Sequence, residues 1–300
     1  MSPFSEEVSR SMEFSPLLKG AVDLHVHAAP DVVARKQDLV ALARDAAEAG
    51  MAGMLIKDHC TSTVGRVMAI NQIYSQGPRF YSALALNPPS GGLNPVAVEA
   101  FLRSGGRVVF GPTYGAAHHI AIWGAGRPPT AFPLPPGFTG IRLLDERGGV
   151  AAELSCILEL AAQHDAVLAT GHVSPEEALA LLRAARRVGV RRLVATHVSE
   201  QVSGMDLACQ QEAASLGALV EHCFFALTPA CPGAIRLEEM ARSIRALGVE
   251  HVVLSSDFGQ IANPPAVSGL GNFLERLRDL GFSPAEIQIM VADNPRRLLE

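Results

Sequence analysis

The chain alternates short apolar runs with amphipathic segments along most of its length. Eight of the runs have the length and residue types of buried strands, and they read AVDLHVHA, AGMLIKDH, FYSALALN, GRVVFGPT, AVLATGHV, RRLVATHV, ALVEHCFF and HVVLSSDF. Segments of helical length separate most of them. This alternation predicts parallel strands, each followed by a helix that covers it.

The segments between the runs also carry helix-start signals. Ser174 is followed three residues later by Glu177, and Ser283 by Glu286, which is the spacing of a capping box. Eight strand–helix units predict an α/β fold, a (β/α)₈ TIM-type barrel that forms a single domain over residues 1–300. An open doubly wound sheet is the competing architecture, and the strand count favours the barrel.

One connection is much longer than the others. Residues 111–140, which follow the fourth predicted strand, contain six prolines and the only tryptophan. A connection of this length in a compact domain is typical of a functional loop. We expect a Pro-rich lid over the mouth of the barrel, followed by a small hairpin that turns at residues 147–149.

Polar residues interrupt the first strand in a regular way. Side chains alternate along a strand, so apolar positions 22, 24 and 26 are expected to face the helices. This arrangement directs Asp23, His25 and His27 toward the barrel axis. His172, His197 and Asp257 end the fifth, sixth and eighth strands.

A single histidine at a strand end is more often a core residue than a metal ligand. Several imidazoles and one carboxylate at the same end of a barrel are costly to bury unpaired, and a divalent cation would supply their partner. This donor set suits zinc best, with manganese, iron or nickel as alternatives, and with one or two ions.

The HVH segment at 25–27, the strand-ending His172, His197 and Asp257, and the closing DNPRRLL together resemble the amidohydrolase superfamily of metal-dependent (β/α)₈ enzymes. The segments DLHVHAAPD and GGLNP are similar to a functionally uncharacterised branch of that superfamily. The resemblance covers nearly the full chain. It implies a hydrolase that uses a metal-activated water on a C–N or C–O bond of an amide, cyclic amide, lactone or amidine.

The fourth strand lacks the lysine or glutamate that bridges two metals in many members of the superfamily. One alternative is a single ion held by His25, His27, His172 and Asp257, with His197 as a metal-free acid or base. Asp257 would then be both ligand and general base. His197 or His172 could also polarise the substrate oxygen.

The second alternative takes the bridge from the second strand. Lys57 and His59 are predicted to face the axis there, and a carboxylated Lys57 would bridge two metals. As an ammonium, Lys57 would instead bind an anionic substrate, and a third interpretation pairs it with Asp58 or Asp31. Glu221 and Cys223 share an inward parity in the seventh strand and are weaker candidates for the bridge.

The loops should supply the substrate contacts. The Pro-rich connection and the segment after the first strand place aromatic and basic residues near the predicted mouth, and His118 and His119 could also donate a metal ligand. We expect substrate contacts from His59, Arg35, Tyr114, His118, His119, Trp123 and Arg127.

Composition narrows the function classes. The formal net charge is -5 and the 25 Lys and Arg residues are scattered, which argues against a nucleic-acid partner. The chain shows neither a membrane span nor a signal peptide, so we expect a cytoplasmic protein with a small-molecule substrate and reduced cysteines. Association into a homo-oligomer stays open.

Two other functions fit the same residues. A metal-dependent decarboxylase or hydratase of a small carboxylic acid would use the same ligands without hydrolysis. A non-catalytic metal-binding barrel ranks third, because structural zinc sites are normally closed and rich in cysteine.

Overall fold

The computed structural model describes residues 14–124, 134, 136–145 and 148–300. Eight strands form one parallel sheet in chain order. They are β1 (Val22–Val26), β2 (Gly53–Ile56), β3 (Arg79–Ala85), β4 (Val108–Phe110), β5 (Val167–Ala169), β6 (Arg192–Ala195), β7 (Ala218–Cys223) and β8 (Val252–Ser255).

The sheet closes on itself between β8 and β1. The His27 N–H donates to the Phe258 carbonyl over 2.8 Å, and the Asp257 N–H donates to the His25 carbonyl over 2.9 Å. Because the first and last strands are hydrogen-bonded in this way, the sheet is a barrel. The predicted α/β fold of the (β/α)₈ type is therefore confirmed.

The helices lie around the barrel, most of them on its outside. They are α1 (Leu39–Glu48), α2 (Val64–Ile73), α3 (Pro95–Arg103), α4 (Ala117–Trp123), α5 (Ala152–Gln163), α6 (Pro175–Arg187), α7 (Leu207–Ser215), α8 (Leu237–Leu247), α9 (Ala266–Asp279), α10 (Pro284–Gln288) and α11 (Asn294–Leu299). Both predicted capping boxes are present, at Ser174 with Glu177 and at Ser283 with Glu286. Within the described ranges, no helix has the length and apolar character needed to cross a bilayer.

Two apolar layers hold the barrel together. The larger lies between the strands and the helices, and the smaller fills the inside of the barrel with residues such as Leu55, Ala83 and Leu219. Leu298 and Leu299 of α11 belong to the inner layer. The last helix therefore closes the barrel at the end opposite the carboxyl termini of the strands.

The predicted side-chain parity of β1 is only partly correct. Asp23 pairs with Met54, but the next pairing joins Val26 to Ile56, so β1 contains one extra residue at this point. Such a bulge reverses the parity of a strand. Val22 and Leu24 consequently face the inner layer, contrary to the prediction, and Val26 faces the helices as expected.

Asp23 lies between two inward-facing residues, so it points away from the axis, which corrects its predicted orientation. Its Oδ1 accepts hydrogen bonds from the N–H groups of His25, at 3.1 Å, and Ser256, at 3.0 Å. The carboxyl group therefore links β1 to the end of β8. His25 and His27, beyond the bulge, face the axis as predicted.

The long connection after β4 is not a continuous loop, because residues 117–123 form α4. The Ala117 N–H donates to the Ile141 carbonyl over 2.9 Å, which ties the helix to the returning chain. An antiparallel bridge joins Leu144 to Val150, as the predicted hairpin requires. Arg127 and Arg147 lie outside the described residues.

The inner layer predicts a large effect of shortening Leu299, which is 3% exposed. We expect Leu299→Ala to lower the free energy of unfolding by about 2–4 kcal/mol, because it removes buried methyl groups and leaves a cavity. Urea unfolding measures the change. Leu207→Ala is the matched control, since Leu207 is 40% exposed and its replacement should change the free energy little.

Candidate metal centre

A cavity of about 590 Å³ opens where the strands end. This is the end of the barrel at which enzymes of this fold place their chemistry. The cavity is lined by His27, Lys57, His59, Tyr114, His119, Trp123, His172, Glu200, Gln201, Val202, Phe225, Ala230, Cys231, Pro232, Asp257 and Gln260.

Three side chains converge at the bottom of this cavity. His27 Nε2 lies 3.1 Å from Asp257 Oδ1, and His25 Nε2 lies 3.4 Å from the same oxygen. One ligand atom of each residue lies within 4.8 Å of the other two. Closure of the barrel between β1 and β8 brings these residues together, although 230 positions separate His27 from Asp257 in the sequence.

Glu221 sets the orientation of His25. Its Oε2 lies 3.2 Å from His25 Nδ1. The same carboxylate accepts hydrogen bonds from the His197 N–H at 3.0 Å and from Ser255 Oγ at 2.8 Å. A carboxylate in this position accepts the Nδ1 proton, so the lone pair of His25 Nε2 faces Asp257.

His197 presents a lone pair in the same way. Ser203 Oγ donates to the Thr196 carbonyl at 3.1 Å, so it accepts the Nδ1 proton of His197 at 2.9 Å. His197 Nε2 is therefore an acceptor. It is buried and has no hydrogen-bond partner among the described residues.

Arg35 contacts His27 on the side of the imidazole that faces away from Asp257. Its Nη2 donates to His27 Nδ1 over 3.3 Å, and its Nε donates to Asp31 Oδ2 over 2.7 Å. A guanidinium only donates, so the His27 proton lies on Nε2 and points to Asp257. A cation bound at His27 Nε2 would require this proton to move or leave.

Lys57 reaches the centre of the cluster. It is 1% exposed, and its Nζ donates to His25 Nε2 over 3.0 Å. Burial lowers the pKa of its ammonium group, while the nearby carboxylates of Asp257 and Glu221 oppose that shift. The lysine is thus held as a buried amine next to the proposed ligands.

The interpretation of Lys57 as a rim residue paired with Asp58 or Asp31 is wrong. Asp58 forms its ion pair with Arg66 over 2.8 Å, and Asp31 forms its pair with Arg35 over 2.7 Å. Both carboxylates are therefore already satisfied by guanidinium groups, and Lys57 turns toward the barrel axis.

Aromatic rings form part of the cavity wall. His59 stacks between His27, at a centroid distance of 4.8 Å, and Tyr114, at 4.0 Å. His172 Nδ1 lies 2.9 Å from His119 Nδ1, so one imidazole donates to the other. This contact fixes the orientation of the His172 ring.

The backbone is strained at two of the converging residues. His197 has φ of 32° and Asp257 has φ of 51°, which is the left-handed region that side chains other than glycine seldom occupy. Such conformations cluster at functional sites, where the surrounding structure holds them.

Burial controls the protonation of the cluster. It lowers the pKa of His25 and of His197 to about 3, so both imidazoles are neutral at pH 7. Burial and the neighbouring Asp257 raise the pKa of Glu200 well above its usual range. Neutral imidazoles are the form that binds metals.

The residues fit a divalent cation. The lone pair of His25 Nε2 and the oxygen of Asp257 face each other at 3.4 Å, and His197 Nε2 is a buried acceptor without a donor. A cation placed among His25, His27 and Asp257 would satisfy the facing nitrogen and oxygen atoms. Without a cation, the ammonium group of Lys57 and the proton on His27 Nε2 supply part of the positive charge beside these atoms.

The predicted residues separate into two groups. His25, His27, His172, His197, Lys57 and Asp257 surround the bottom of the cavity, and His59, Tyr114, His119 and Trp123 line its walls. Arg35 does not line the cavity and instead contacts His27 from behind. His118, predicted as a substrate contact, also stands outside the lining and is half-buried.

Glu200 and Ser203 are the residues with a clear chemical role in this site that were not predicted. Glu200 lines the cavity, and Ser203 fixes the tautomer of His197. Both lie in the turn that directly follows the strand-ending His197. A carboxylate three residues after a candidate ligand was the signal that could have identified Glu200.

A family model described as a family of unknown function, DUF6282, matches residues 20–221. The search of curated proteins gave no match. The match therefore places the chain in a family but does not indicate which reaction it catalyses.

Solved structures resemble the whole chain. An amidohydrolase from Pseudomonas aeruginosa has a TM-score of 0.65 at 11% identity, over 95% of this chain and 96% of the other. The probable dipeptidase PvdM from the same organism has a TM-score of 0.64 at 12% identity, over 93% and 94% of the two chains. A TatD homologue, YJJV, from Escherichia coli K12 has a TM-score of 0.57 at 18% identity, over 94% and 98%. The predicted amidohydrolase-type fold is thus confirmed.

A further buried imidazole lies outside the barrel. His222 is fully buried on β7, with a parity opposite to that of Glu221 and Cys223. Its Nδ1 lies 2.8 Å from Ser199 Oγ, and its Nε2 has no partner among the described residues. Burial lowers the pKa of His222 to about 3.

His222 should make the folded protein sensitive to acid. Below pH 6.5 an unfolded chain protonates this imidazole, whereas the folded chain does so only near pH 3, so stability falls as the pH drops through that window. In His222→Gln the free energy of unfolding should fall less steeply, by about 1.4 kcal/mol per pH unit at most. Urea unfolding between pH 6 and pH 4 measures the slope, and an unchanged slope would contradict the assignment.

Proposed function

The chain belongs to the DUF6282 family, and from the geometry of its candidate metal centre we propose that it is a metal-dependent hydrolase of small molecules. The bond cleaved is a C–N or C–O bond of an amide, cyclic amide, lactone or amidine. The fold neighbours named amidohydrolase and probable dipeptidase are consistent with that chemistry.

One observation carries the proposal. His25 Nε2, His27 Nε2 and Asp257 Oδ1 come together at the bottom of an open cavity, beside the unpartnered Nε2 of His197. His25, His27, His172 and Asp257 would hold the cation, with His197 as a further ligand or as an acid or base. This nitrogen-rich set suits zinc best.

The bound cation would lower the pKa of a water molecule toward neutrality. Asp257 accepts the proton of the attacking water and passes it to the leaving group. Its fixed backbone and its contact with His27 keep the carboxylate at the floor of the cavity, where a substrate carbonyl can reach it. A single carboxylate thus serves as base and then as acid.

Other side chains would act on the substrate oxygen. Burial raises the pKa of the Tyr114 hydroxyl, so it stays protonated and can donate a hydrogen bond from the cavity wall. Lys57 lies beside His25, where it either donates to developing negative charge or, as a carbamate, binds metal. Hydrogen-bond donors placed where charge develops lower the activation barrier of acyl transfer when they are held rigidly. The stacking of His59 on Tyr114 holds the tyrosine in this way.

The cavity volume supports a small-molecule substrate. About 590 Å³ lies within the range of pockets that enclose metabolite-sized ligands. Trp123, Val202, Phe225 and Pro232 make part of its wall apolar. We therefore propose a substrate with one hydrolysable polar group and an apolar or aromatic remainder.

Replacing the general base should separate binding from turnover. We expect Asp257→Asn to keep part of its metal, because the imidazoles stay in place, and to lose hydrolysis by about 100- to 10,000-fold. Metal content is measured by elemental analysis, and hydrolysis with a panel of lactones, amides and cyclic amides. Asp293→Asn, on an exposed side chain, is the control.

If Asp257→Asn hydrolysed its substrate at a rate near that of the unmodified protein, Asp257 would not be the general base. Product analysis tests the reaction class in the same experiment. Release of carbon dioxide from a carboxylic acid substrate, with no hydrolysis of the panel, would favour a decarboxylase.

Glu221 should act as a positioning residue. We expect Glu221→Gln to weaken zinc binding by about 10- to 100-fold, because the amide no longer accepts the His25 Nδ1 proton with a full negative charge. Competition with a chromophoric chelator measures the affinity. An affinity equal to that of the unmodified protein would show that Glu221 does not orient the ligand.

A further inference from the structure

A second cluster of ligand atoms lies beside the candidate metal centre. Glu200, Cys223 and Asp257 each contribute one atom, and the three atoms lie within 4.8 Å of one another. Asp257 belongs to both clusters. Glu200 and Cys223 have no role in the hydrolysis described above.

Glu200 is a buried carboxylate without a full set of partners. The residue is 6% exposed and lines the cavity, and its Oε1 has no hydrogen-bond partner among the described residues. The turn that carries it is fixed, because its N–H donates to the His197 carbonyl and its carbonyl accepts from the N–H groups of Ser203 and Gly204. The carboxylate is thus held in place next to Asp257.

Cys223 supplies the third donor. It ends β7 with an inward side chain and is fully buried. Its thiol is free.

We propose that Glu200, Cys223 and Asp257 bind a second divalent cation, with Asp257 shared between the two ions. The proposal rests on the proposed function, because the first ion brings Asp257 into use as a ligand. One thiolate and two carboxylates favour a borderline-soft cation such as zinc or cobalt over magnesium or calcium. Three protein ligands would leave the fourth position of the cation for a ligand from the cavity.

Charge supports a second cation. Glu200, Glu221 and Asp257 are three carboxyl groups buried close together, and among the described residues the ammonium group of Lys57 acts on all three. If all three were ionised, one ammonium group would not neutralise them, and a second cation would offset the cost of burying the remaining charge. The competing arrangement is a proton shared between Glu200 and Asp257, which the experiment below separates from a bound metal.

Cobalt titration of the metal-free protein tests the proposal. We expect two equivalents of Co²⁺ per chain, and the second should produce the near-ultraviolet charge-transfer band of a cobalt–thiolate bond. Cys223→Ser should lose the band and the second equivalent. Cys231→Ser is the matched control, since Cys231 lines the same cavity outside the cluster, and it should keep both.

Two further variants identify the ligands independently of the thiol. Glu200→Gln should also lose the second equivalent, and it keeps the proposal testable if Cys223→Ser does not fold. His27→Ala should weaken the first equivalent and keep the thiolate band. Circular dichroism confirms the fold of each variant.

The outcomes distinguish the two proposals. One equivalent of cobalt with no thiolate band, in a protein that hydrolyses its substrate, would overturn the second site and leave the proposed function intact. A band that persists in Cys223→Ser would equally overturn it. A folded protein that binds no cobalt and hydrolyses nothing would overturn the proposed function itself.

Discussion

The site depends on the cost of burying polar groups where water cannot solvate them. Six imidazoles, three carboxyl groups and one amine meet at the carboxyl ends of the strands, and all of them are buried. Burial keeps the imidazoles neutral and destabilises isolated carboxylates, so the cluster as a whole favours added positive charge. The hydrogen bonds from Glu221 and Ser203 then decide which nitrogen of His25 and His197 remains open. The electrostatics of the cluster and its tautomers point to the same type of ligand.

Much of the fold was predictable because it depends on local patterns. Seven strands lie inside the predicted runs, β3 begins one residue before its run, and both capping boxes are present. The inward direction of His25, His27 and Lys57 also followed from alternation, and so did the meeting of β1 with β8 once a barrel was assumed. Such features depend on periodicity and strand order, which a single sequence records.

Other features depend on contacts that a sequence does not record. The bulge in β1 changes no residue type, so the orientations of Val22 and Leu24 were predicted wrongly. The residues at 117–123 form a helix that the Pro-rich composition of their surroundings obscured. Glu200 enters the cavity only because the turn after β6 folds back over the barrel mouth. The pairing of Asp58 with Arg66 joins separate segments and was likewise not visible.

The extra residue in β1 lets one strand serve two purposes. Before it, Val22 and Leu24 build the apolar floor inside the barrel, and after it, His25 and His27 stand above that floor on the same side. Without the offset, the leucine and the two histidines could not share one face of the strand. Deleting Asp23 would restore regular alternation, so Leu24 would turn toward the helices if His25 and His27 stayed inward. The need to turn these residues inward therefore limits the number of residues in β1 as well as the identity of its histidines.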